Sequence, residues 1–443
     1  MKKSFLKTGA KVMSLLFLLV LVSCNYNGDV DYTSESPDIA ISINSSSVDN
    51  NESSDLGSIK IFTQDTFSVS IINNGDGDLT VGDITFSGED ADSFSLSTEP
   101  SSTIGDGESS TFSVTWAAGT SAGETLSTIM TINSNDSDDS TFSITLSGTT
   151  TTRTWSQFAS DVSWGKRGFQ RVLDYNDTLF IMGGYDGSNN YNDVYSSTDG
   201  SSWTKITDNP GWSVRQNLGA TVFKDKIWIL GGYSDSVSND VWCSSNGSDW
   251  EKVSISDTYW DARSAFGCVV FDDKLWVLGG YFSYNDYGSD VWYSSDGSDW
   301  EEVTISGESW SGRYGMSCVV FDDKIWIMGG WDGDTDCCND VWCSSDGEQW
   351  TEVTSSAGWS TRTYPGTVVY DNKMWIMGGV QNSESLSDVW YSEDGKDWTK
   401  ASSFSDTGRH GFATFVLNDT IYILGGTSDY DDSDSFCDDI LSW

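Results

Sequence analysis

The side chains best suited to ligand chemistry recur at fixed offsets through the C-terminal part of the sequence. An Arg stands 16 residues before the first Gly of each of six Gly-Gly pairs, and an aromatic residue directly follows four of these pairs. The arginines are Arg167, Arg215, Arg263, Arg313, Arg362 and Arg409, and the aromatic residues are Tyr185, Tyr233, Tyr281 and Trp331. A guanidinium group can donate two parallel hydrogen bonds to a carboxylate, and aromatic rings stack on the flat faces of sugars or side chains. This set of residues therefore predicts a binding site for an acidic peptide or a carboxylated sugar.

The same arginines have a second, structural interpretation. An Asp followed by Val or Ile lies 9 to 14 residues after the first Gly of each pair. These residues are Asp193, Asp240, Asp290, Asp340, Asp388 and Asp439. Each Arg could pair with such an Asp or with a loop carbonyl and only fasten the repeats together. A Trp three residues before five of the arginines, as in Trp164 and Arg167, is typical of packing. Both interpretations stay open on the sequence alone.

The Gly-Gly pairs define six repeats, at positions 183–184, 231–232, 279–280, 329–330, 378–379 and 425–426. Short apolar or alternating runs separated by Asp, Gly and Ser turns indicate antiparallel strands. In the third repeat we predict four strands, Phe266–Phe271, Lys274–Leu278, Asp290–Tyr293 and Trp300–Val303, with Gly279 and Gly280 ending the second. One such sheet cannot bury both faces alone, so the repeats predict a six-bladed β-propeller over residues 149–443.

The last repeat lacks an outer strand, because the sequence reaches Trp443 directly after its third strand. An unmatched Trp155 precedes Trp164 by the interval that separates outer-strand tryptophans from the next Trp in complete repeats. We therefore expect a strand around Trp155 to complete the last blade. Closure of this kind removes two open sheet edges that would otherwise invite aggregation.

The repeat resembles the kelch family of the galactose oxidase-like propellers. The Gly-Gly pair, the spaced downstream aromatic residues and the Arg before the first strand carry the resemblance. It implies a propeller that binds ligands through one face, and some kelch adaptor propellers bind acidic peptides through arginines at this place. The loops between each Gly-Gly pair and its Asp differ strongly between repeats, whereas the hairpin turns are nearly identical. We expect the face with the diverse loops, including the six arginines, to hold the ligand.

Residues 38–148 alternate apolar and polar side chains in seven or eight short runs, such as Thr66–Ile71 and Thr141–Leu146. Period-two alternation indicates half-buried strands, and the whole predicts an all-β, immunoglobulin-like sandwich without a core disulfide. The segments Asn73–Leu79 and Thr131–Asp136 resemble HYDIN-type (choice-of-anchor D-like) modules of bacterial surface proteins. Residues 25–37 are polar and predict a flexible tether.

Residues 1–24 predict a targeting segment. Four lysines, Lys2, Lys3, Lys7 and Lys11, precede an apolar run that is too short to span a membrane as a helix. The run ends in Leu-Val-Ser-Cys, which resembles a bacterial lipobox with Cys24 as the lipidated residue. The alternative is an ordinary secretory signal with a chance Cys. We expect a lipid-anchored protein of the bacterial cell envelope, at the outer membrane, with the lipid as its only membrane contact.

Charge and composition narrow the function further. The net charge of −44 disfavours nucleic acid as a partner, since its binding needs clustered Lys and Arg. A single His, His410, leaves little basis for a catalytic triad or a copper site, and we interpret it as a surface loop residue. Asp332, Asp334 and Asp336 have the first spacings of a calcium loop but lack its later Gly and Glu. We expect no cofactor and a monomer.

Three functions fit these observations. The first is a non-catalytic module that binds a protein or glycan through the diverse face. The second is a carbohydrate-active enzyme, for which kelch-type sialic acid mutarotases are the model, and it needs an Arg and a carboxylate that converge in the central funnel. The third is a structural spacer. The discriminating feature is whether the arginines project freely into the funnel or pair within the walls.

Overall fold

The computed structural model describes residues 36–256, 259–333, 337–404, 407–429 and 431–443. Within these ranges the chain forms β-strands and two single-turn 3-10 segments, Ala91–Ser93 and Ser433–Ser435, and no α-helix. No helix in this part of the chain is long and apolar enough to cross a membrane. The chain divides into two compact units. The first contains residues up to Leu56 with Thr66–Trp116 and Ser127–Ser147, and the second contains Gly57–Asp65, Ala117–Leu126 and Gly148–Trp443.

The first ten strands form two five-stranded sheets, ordered β2-β1-β4-β8-β6 and β3-β10-β9-β5-β7. The strands are β1 (Ile39–Ile43), β2 (Ser46–Val48), β3 (Ser53–Lys60), β4 (Gln64–Asn73), β5 (Leu79–Ser87), β6 (Phe94–Thr98), β7 (Thr103–Ile104), β8 (Ser109–Ala117), β9 (Thr125–Ser134) and β10 (Thr141–Thr151). The sequence indicated only seven or eight because β2 and β7 are too short for alternation to be visible. Val69, Val114 and Ile144 on these sheets are fully buried.

The remaining strands form six four-stranded sheets and one small hairpin. Those up to the third sheet are β11 (Ser156–Ala159), β12 (Arg171–Asp174), β13 (Leu179–Met182), β14 (Val194–Ser197), β15 (Thr204–Thr207), β16 (Gly219–Phe223), β17 (Lys226–Tyr233), β18 (Val237–Ser244), β19 (Glu251–Lys252), β20 (Gly267–Phe271), β21 (Lys274–Ser283), β22 (Asp286–Ser294) and β23 (Glu301–Glu302). The others are β24 (Ser317–Phe321), β25 (Lys324–Met328), β26 (Val341–Ser344), β27 (Thr351–Thr354), β28 (Gly366–Tyr370), β29 (Lys373–Met377), β30 (Val380–Gln381), β31 (Glu384–Ser385), β32 (Asp388–Ser392), β33 (Thr399–Ser403), β34 (Ala413–Leu417), β35 (Thr420–Leu424) and β36 (Ile440–Ser442).

Each four-stranded sheet follows the order expected for one repeat, except the sheet that joins the two ends of the second unit. That sheet has the order β11-β36-β35-β34, with Ser156 opposite Ser442 and Gln157 opposite Leu441. Trp155 stacks on Trp443 with ring centroids 6.3 Å apart. The strand next to Trp155 is therefore the fourth strand of the sheet formed by the C-terminal residues.

The Gly-Gly pair of the third repeat does not end its strand, contrary to the sequence prediction. Strand β21 continues through Gly279 and Gly280 to Ser283, with a register shift between Leu278 and Gly280. Both glycines have positive φ, and a Cβ on Gly279 would lie 2.9 Å from the ring of Trp310. The pair thus forms a bulge against a buried Trp, where a side chain has no room.

A closed cycle of backbone hydrogen bonds joins the starts of the six sheets. Its members are the residues two positions after each repeat Arg, and all six have positive φ. They are Phe169, Asn217, Ala265, Gly315, Tyr364 and Gly411. Each N–H donates to the carbonyl of the preceding member, and the N–H of Phe169 donates to the carbonyl of Gly411, with N···O distances of 2.5 to 3.2 Å. The first strands of neighbouring sheets lie side by side in the same cyclic order.

Tryptophan pairs fill the space between sheets. The Trp three residues before each of five repeat arginines is almost fully buried. Four of these rings meet, edge to face, the Trp that directly precedes the fourth strand, with centroids about 6 Å apart, in the pairs Trp212–Trp250, Trp260–Trp300, Trp310–Trp350 and Trp359–Trp398. These tryptophans therefore pack between the sheets, and the loops form the surface at the ends of the sheets.

Candidate functional site

Each of the six repeat arginines forms an ion pair with the Asp of its own repeat. The shortest N···O distances lie between 2.5 and 2.9 Å, in the pairs Arg167–Asp193, Arg215–Asp240, Arg263–Asp290, Arg313–Asp340, Arg362–Asp388 and Arg409–Asp439. Every Nη1 also donates to the carbonyl of the first Gly of the repeat's Gly-Gly pair. The arginine side chains are all buried. Of the two interpretations of these arginines, the geometry supports fastening within the sheet.

Pairing with Arg215 lowers the pKa of the Asp240 carboxyl group. Burial raises the pKa of Asp240, but the Arg215 guanidinium and hydrogen bonds from Trp242 and Ser238 outweigh it and bring the pKa to about 2. The carboxylate is therefore held as the anion that matches its Arg. Because both hydrogen-bonding ends of the guanidinium are occupied, an incoming carboxylate would have to displace the Asp.

The four predicted aromatic residues do not form one site. Trp331 lines a cavity on the face of the diverse loops, as described below. Tyr281 packs against Tyr287 and Tyr314 just outside that cavity. Tyr185 and Tyr233 lie on other sheets and do not line the cavity; the ring of Tyr185 meets Phe436 at 5.8 Å.

A cavity of about 390 Å³, here called the mouth, opens on that face. Its aromatic lining consists of Phe169, Tyr314, Trp331 and Tyr364, and its polar lining includes Asn382, Ser383, His410, Ser428, Asp429 and Asp431. Loops after the Gly-Gly pairs supply Trp331, Asn382 and Asp429, so the differences between these loops shape the cavity. Concave sites with apolar walls and a few polar groups are typical of ligand binding.

The hydrogen-bonded cycle positions the aromatic side chains of the mouth. Phe169 and Tyr364 hold φ values of 58° and 52°, which side-chain-bearing residues seldom adopt. The next member along the chain from Tyr364 is Gly411, where a Cβ would lie 2.5 Å from the ring of Phe169. The ring of Phe169 therefore lies directly beside Gly411. The same ring meets the ring of Tyr364 edge to face, with centroids 5.1 Å apart.

His410 is not a surface loop residue, which corrects the prediction from the sequence. It is 4% exposed and its Nδ1 lies 2.8 Å from the Oγ of Ser385. Burial lowers its pKa to about 4, although the nearby Asp429 acts in the opposite direction. The imidazole is therefore neutral at neutral pH. The sequence could not show this, because the residue after the other repeat arginines is variable.

Tyr314 occupies the centre of the aromatic cluster. Its ring contacts Tyr281, Tyr287, Trp331 and Tyr364 at centroid distances of 5.4 to 5.9 Å. Burial, with the neighbouring tyrosines and Cys337, raises its pKa to about 12. The phenol therefore keeps its proton and can donate a hydrogen bond at the edge of the mouth.

Arg171 is a candidate that the repeat pattern concealed. It lies four residues after Arg167 and lines a narrow cavity of about 40 Å³ below the mouth, here called the neck. It also lines a larger cavity of about 250 Å³ formed by first-strand residues of all six sheets, here called the channel. Phe169 and Tyr364 line both the mouth and the neck. The signal in the sequence is a charged residue where the other repeats have Gly, Ser or Ala.

The remaining predicted sites are only partly described. Asp332 accepts a hydrogen bond from Ser311 at 3.0 Å, whereas Asp334 and Asp336 lie outside the described residues. Cys24 and most of the predicted tether also lie outside them. In the part of the chain that the structure describes, no group of three His, Cys, Asp or Glu residues could hold a metal ion. The seven described cysteines are free thiols.

Comparisons with known proteins agree with this repeat architecture. A family model described as "KLHDC2/KLHL20/DRC7 Kelch-repeats domain" matches residues 127–330 and 236–426. Among solved structures, "Structure of YjhT" is similar, with a TM-score of 0.53 and 14% sequence identity. That match covers 64% of this chain and 96% of the other chain, and at such low identity it concerns the fold alone. A search of curated proteins gives no significant match.

Proposed function

We propose that this chain, a member of the KLHDC2/KLHL20/DRC7 Kelch-repeats domain family, is a binding module of the bacterial cell envelope. It comprises an immunoglobulin-like sandwich and a closed six-bladed kelch propeller, and lipid on Cys24 anchors it at the outer membrane. Six four-stranded sheets, the cycle of hydrogen bonds and the pairing of β11 with β36 support the closed propeller. The lipobox-like sequence before Cys24 supports the anchor.

We propose that a protein or glycan ligand binds in the mouth. The aromatic wall of this cavity is the observation that carries the proposal. Four aromatic rings line one cavity, and two of them stand on strained backbone that the hydrogen-bonded cycle enforces. Strained positions cluster at functional sites, where the surrounding structure compensates for their cost. Rigid rings give large contact area at low cost in side-chain entropy.

The polar groups of the mouth favour an uncharged ligand over an acidic one. The lining contains Asp429 and Asp431, and no Lys or Arg occurs among its described residues. The neutral imidazole of His410 and the amide of Asn382 provide further hydrogen-bonding groups. An uncharged glycan segment matches this combination, because its apolar faces can stack on the rings while its hydroxyl groups meet the polar atoms.

Binding is favoured over catalysis because Arg171 and the carboxylates line different cavities. A mutarotase-like enzyme needs an Arg and a carboxylate that converge on one substrate. The described lining of the mouth has carboxylates and no Arg, whereas the neck and channel have Arg171 and no carboxylate. The six repeat arginines are already paired with Asp residues. We therefore place the enzyme second, and the structural spacer third.

Glycan and peptide arrays probed with the full chain in detergent test the proposal. The mouth variants are Tyr364→Ala and Trp331→Ala. The matched control is Tyr284→Ala, because Tyr284 is 86% exposed, lies in a Gly-Gly loop and does not line the mouth. We expect a ligand class that the wild type and Tyr284→Ala bind and that both mouth variants lose by at least tenfold.

Three outcomes would contradict this function. Equal binding by the mouth variants would remove the cavity from the site. Absence of any ligand on arrays that cover bacterial and host glycans would favour the spacer. Turnover of a sugar anomer by the wild type, lost in the mouth variants, would instead establish the enzyme.

A further inference from the structure

Arg171 breaks the pattern of the first strands. The residue four positions after the repeat Arg is small in the other five sheets: Gly219, Gly267, Ser317, Gly366 and Ala413. Only the first sheet has a long charged side chain at this place. Small residues there serve close packing between sheets; for example, a Cβ on Gly366 would lie 2.3 Å from the ring of Phe412. Packing therefore does not explain Arg171.

Arg171 is also unlike the other six arginines of the repeats in having no ionic partner. Its guanidinium makes no hydrogen bond or ion pair with any described residue. The groups that act on its charge are the thiol of Cys268 and the phenol of Tyr364, which belong to the third and fifth repeats. Arg171 also lines both the neck and the channel, which residues of several sheets enclose.

Among the described residues, none that lines the neck or the channel is a carboxylate. The neck is lined by residues such as Asn217, Met316 and Pro365, and the channel by residues such as Cys268, Cys318 and Thr367. This absence is notable because the chain has 67 acidic residues. Arg171 is only partly exposed, so an unpaired positive charge at this place is unfavourable, and burial lowers its pKa.

We propose that the neck and channel bind one compact inorganic anion, such as chloride, on the guanidinium of Arg171. The amide of Asn217 lines the neck and makes no side-chain hydrogen bond to a described residue, so it can donate a second bond. The volume of about 40 Å³ restricts the neck to an ion or a few waters. This site lies below the mouth and shares Phe169 and Tyr364 with it, but it does not depend on the glycan proposal.

Thermal unfolding of the full chain in sodium chloride tests the site, with sodium gluconate at the same ionic strength as the bulky-anion control. Anion binding to the folded state alone raises Tm with concentration. We expect chloride to raise the Tm of the wild type by about 2–5 °C relative to gluconate. Chloride NMR line broadening by the wild type provides a second readout.

The test variant is Arg171→Met, which keeps length and removes charge. The control is Lys396→Met, which removes one charge from an exposed turn. Arg171→Met should lose the chloride-dependent rise and the line broadening, and its Tm in gluconate should equal or exceed that of the wild type. Lys396→Met should keep the rise. If Arg171→Met fails to fold, Arg171→Lys should retain a weaker rise.

The proposal is wrong if chloride and gluconate give the wild type equal Tm, or if Arg171→Met keeps the full chloride effect. Either result would leave the mouth as a candidate binding site, since neither variant alters its lining aromatic residues. Conversely, a variant that loses binding to the array ligands but keeps the chloride-dependent rise in Tm would bear only on the function of the mouth.

Discussion

The Nη1 and Nη2 atoms of Arg263 bond separately to the two carboxylate oxygens of Asp290, at 2.9 and 2.7 Å. The Arg side chain is fully buried, and the Asp side chain is 25% exposed. The pair connects the residue before the first strand to the third strand of the same sheet. Its recurrence explains why the arginines are periodic: the periodicity belongs to the scaffold.

Removing the acid of one pair should destabilise the protein strongly. Asp290→Ala leaves the Arg263 guanidinium buried and uncompensated, and we expect the free energy of unfolding to fall by about 3–5 kcal/mol. Urea denaturation measures the change, with the exposed Asp299→Ala as control. The double variant Arg263→Met/Asp290→Ala should recover part of the loss. Equal, small effects for Asp290→Ala and Asp299→Ala would show that the pair contributes little.

The Asp240 carboxylate should make stability sensitive to acid. Its pKa is about 2 when folded and near 3.9 when unfolded, so its contribution is present above about pH 4 and is lost as pH falls through 2. Wild-type stability should therefore fall more steeply between pH 4 and 2 than that of Asp240→Asn. Urea denaturation at several pH values measures the slopes. The exposed Asp225→Asn should follow the wild type, and parallel slopes for all three proteins would contradict the assignment.

His410 should add a second pH dependence at higher pH. The folded state holds the imidazole neutral with a pKa of about 4, whereas the unfolded chain takes up a proton near pH 6.5. Stability from this residue is complete above pH 6.5 and declines as pH falls toward 4. The difference in Tm between pH 7.5 and pH 5 should be smaller in His410→Gln than in the wild type. An unchanged difference would indicate an exposed imidazole.

Cys24 should carry the lipid. Cys24→Ala should abolish incorporation of labelled fatty acid in a bacterial host and move the protein out of the membrane fraction, because no other membrane contact is proposed. Cys338→Ala should behave as the wild type in both assays. Membrane association of Cys24→Ala without label would disprove the anchor.

The sequence predicted the repeats well because their determinants are local and recur. Hairpin turns such as Asp272-Asp273, and the apolar run in Lys274–Leu278, indicate strand positions without knowledge of the neighbours. The kelch identity and the β-propeller class are confirmed by the family match. The prediction that the second strand of the third repeat ends at Gly279 and Gly280 was wrong, because the bulge there depends on Trp310, which is distant in the sequence.

The site was harder to predict because it is built between repeats. Periodic residues such as Arg263 attract attention, yet the mouth is made by residues that differ from their equivalents, including Tyr364 and His410. Burial of His410 depends on loops whose paths the sequence does not reveal. Arg171 differs from its five equivalents and lines the neck and the channel, whereas the repeated arginines are paired within their sheets.

The most direct test separates the scaffold arginines from the aromatic mouth in one pair of variants. Affinity for an array-identified ligand and Tm are measured for Arg263→Ala and Tyr364→Ala. The account predicts that Arg263→Ala lowers Tm by several degrees while its folded fraction binds with wild-type affinity, and that Tyr364→Ala loses affinity at least tenfold with a smaller change in Tm. The reverse pattern, with affinity lost in Arg263→Ala and kept in Tyr364→Ala, would contradict it.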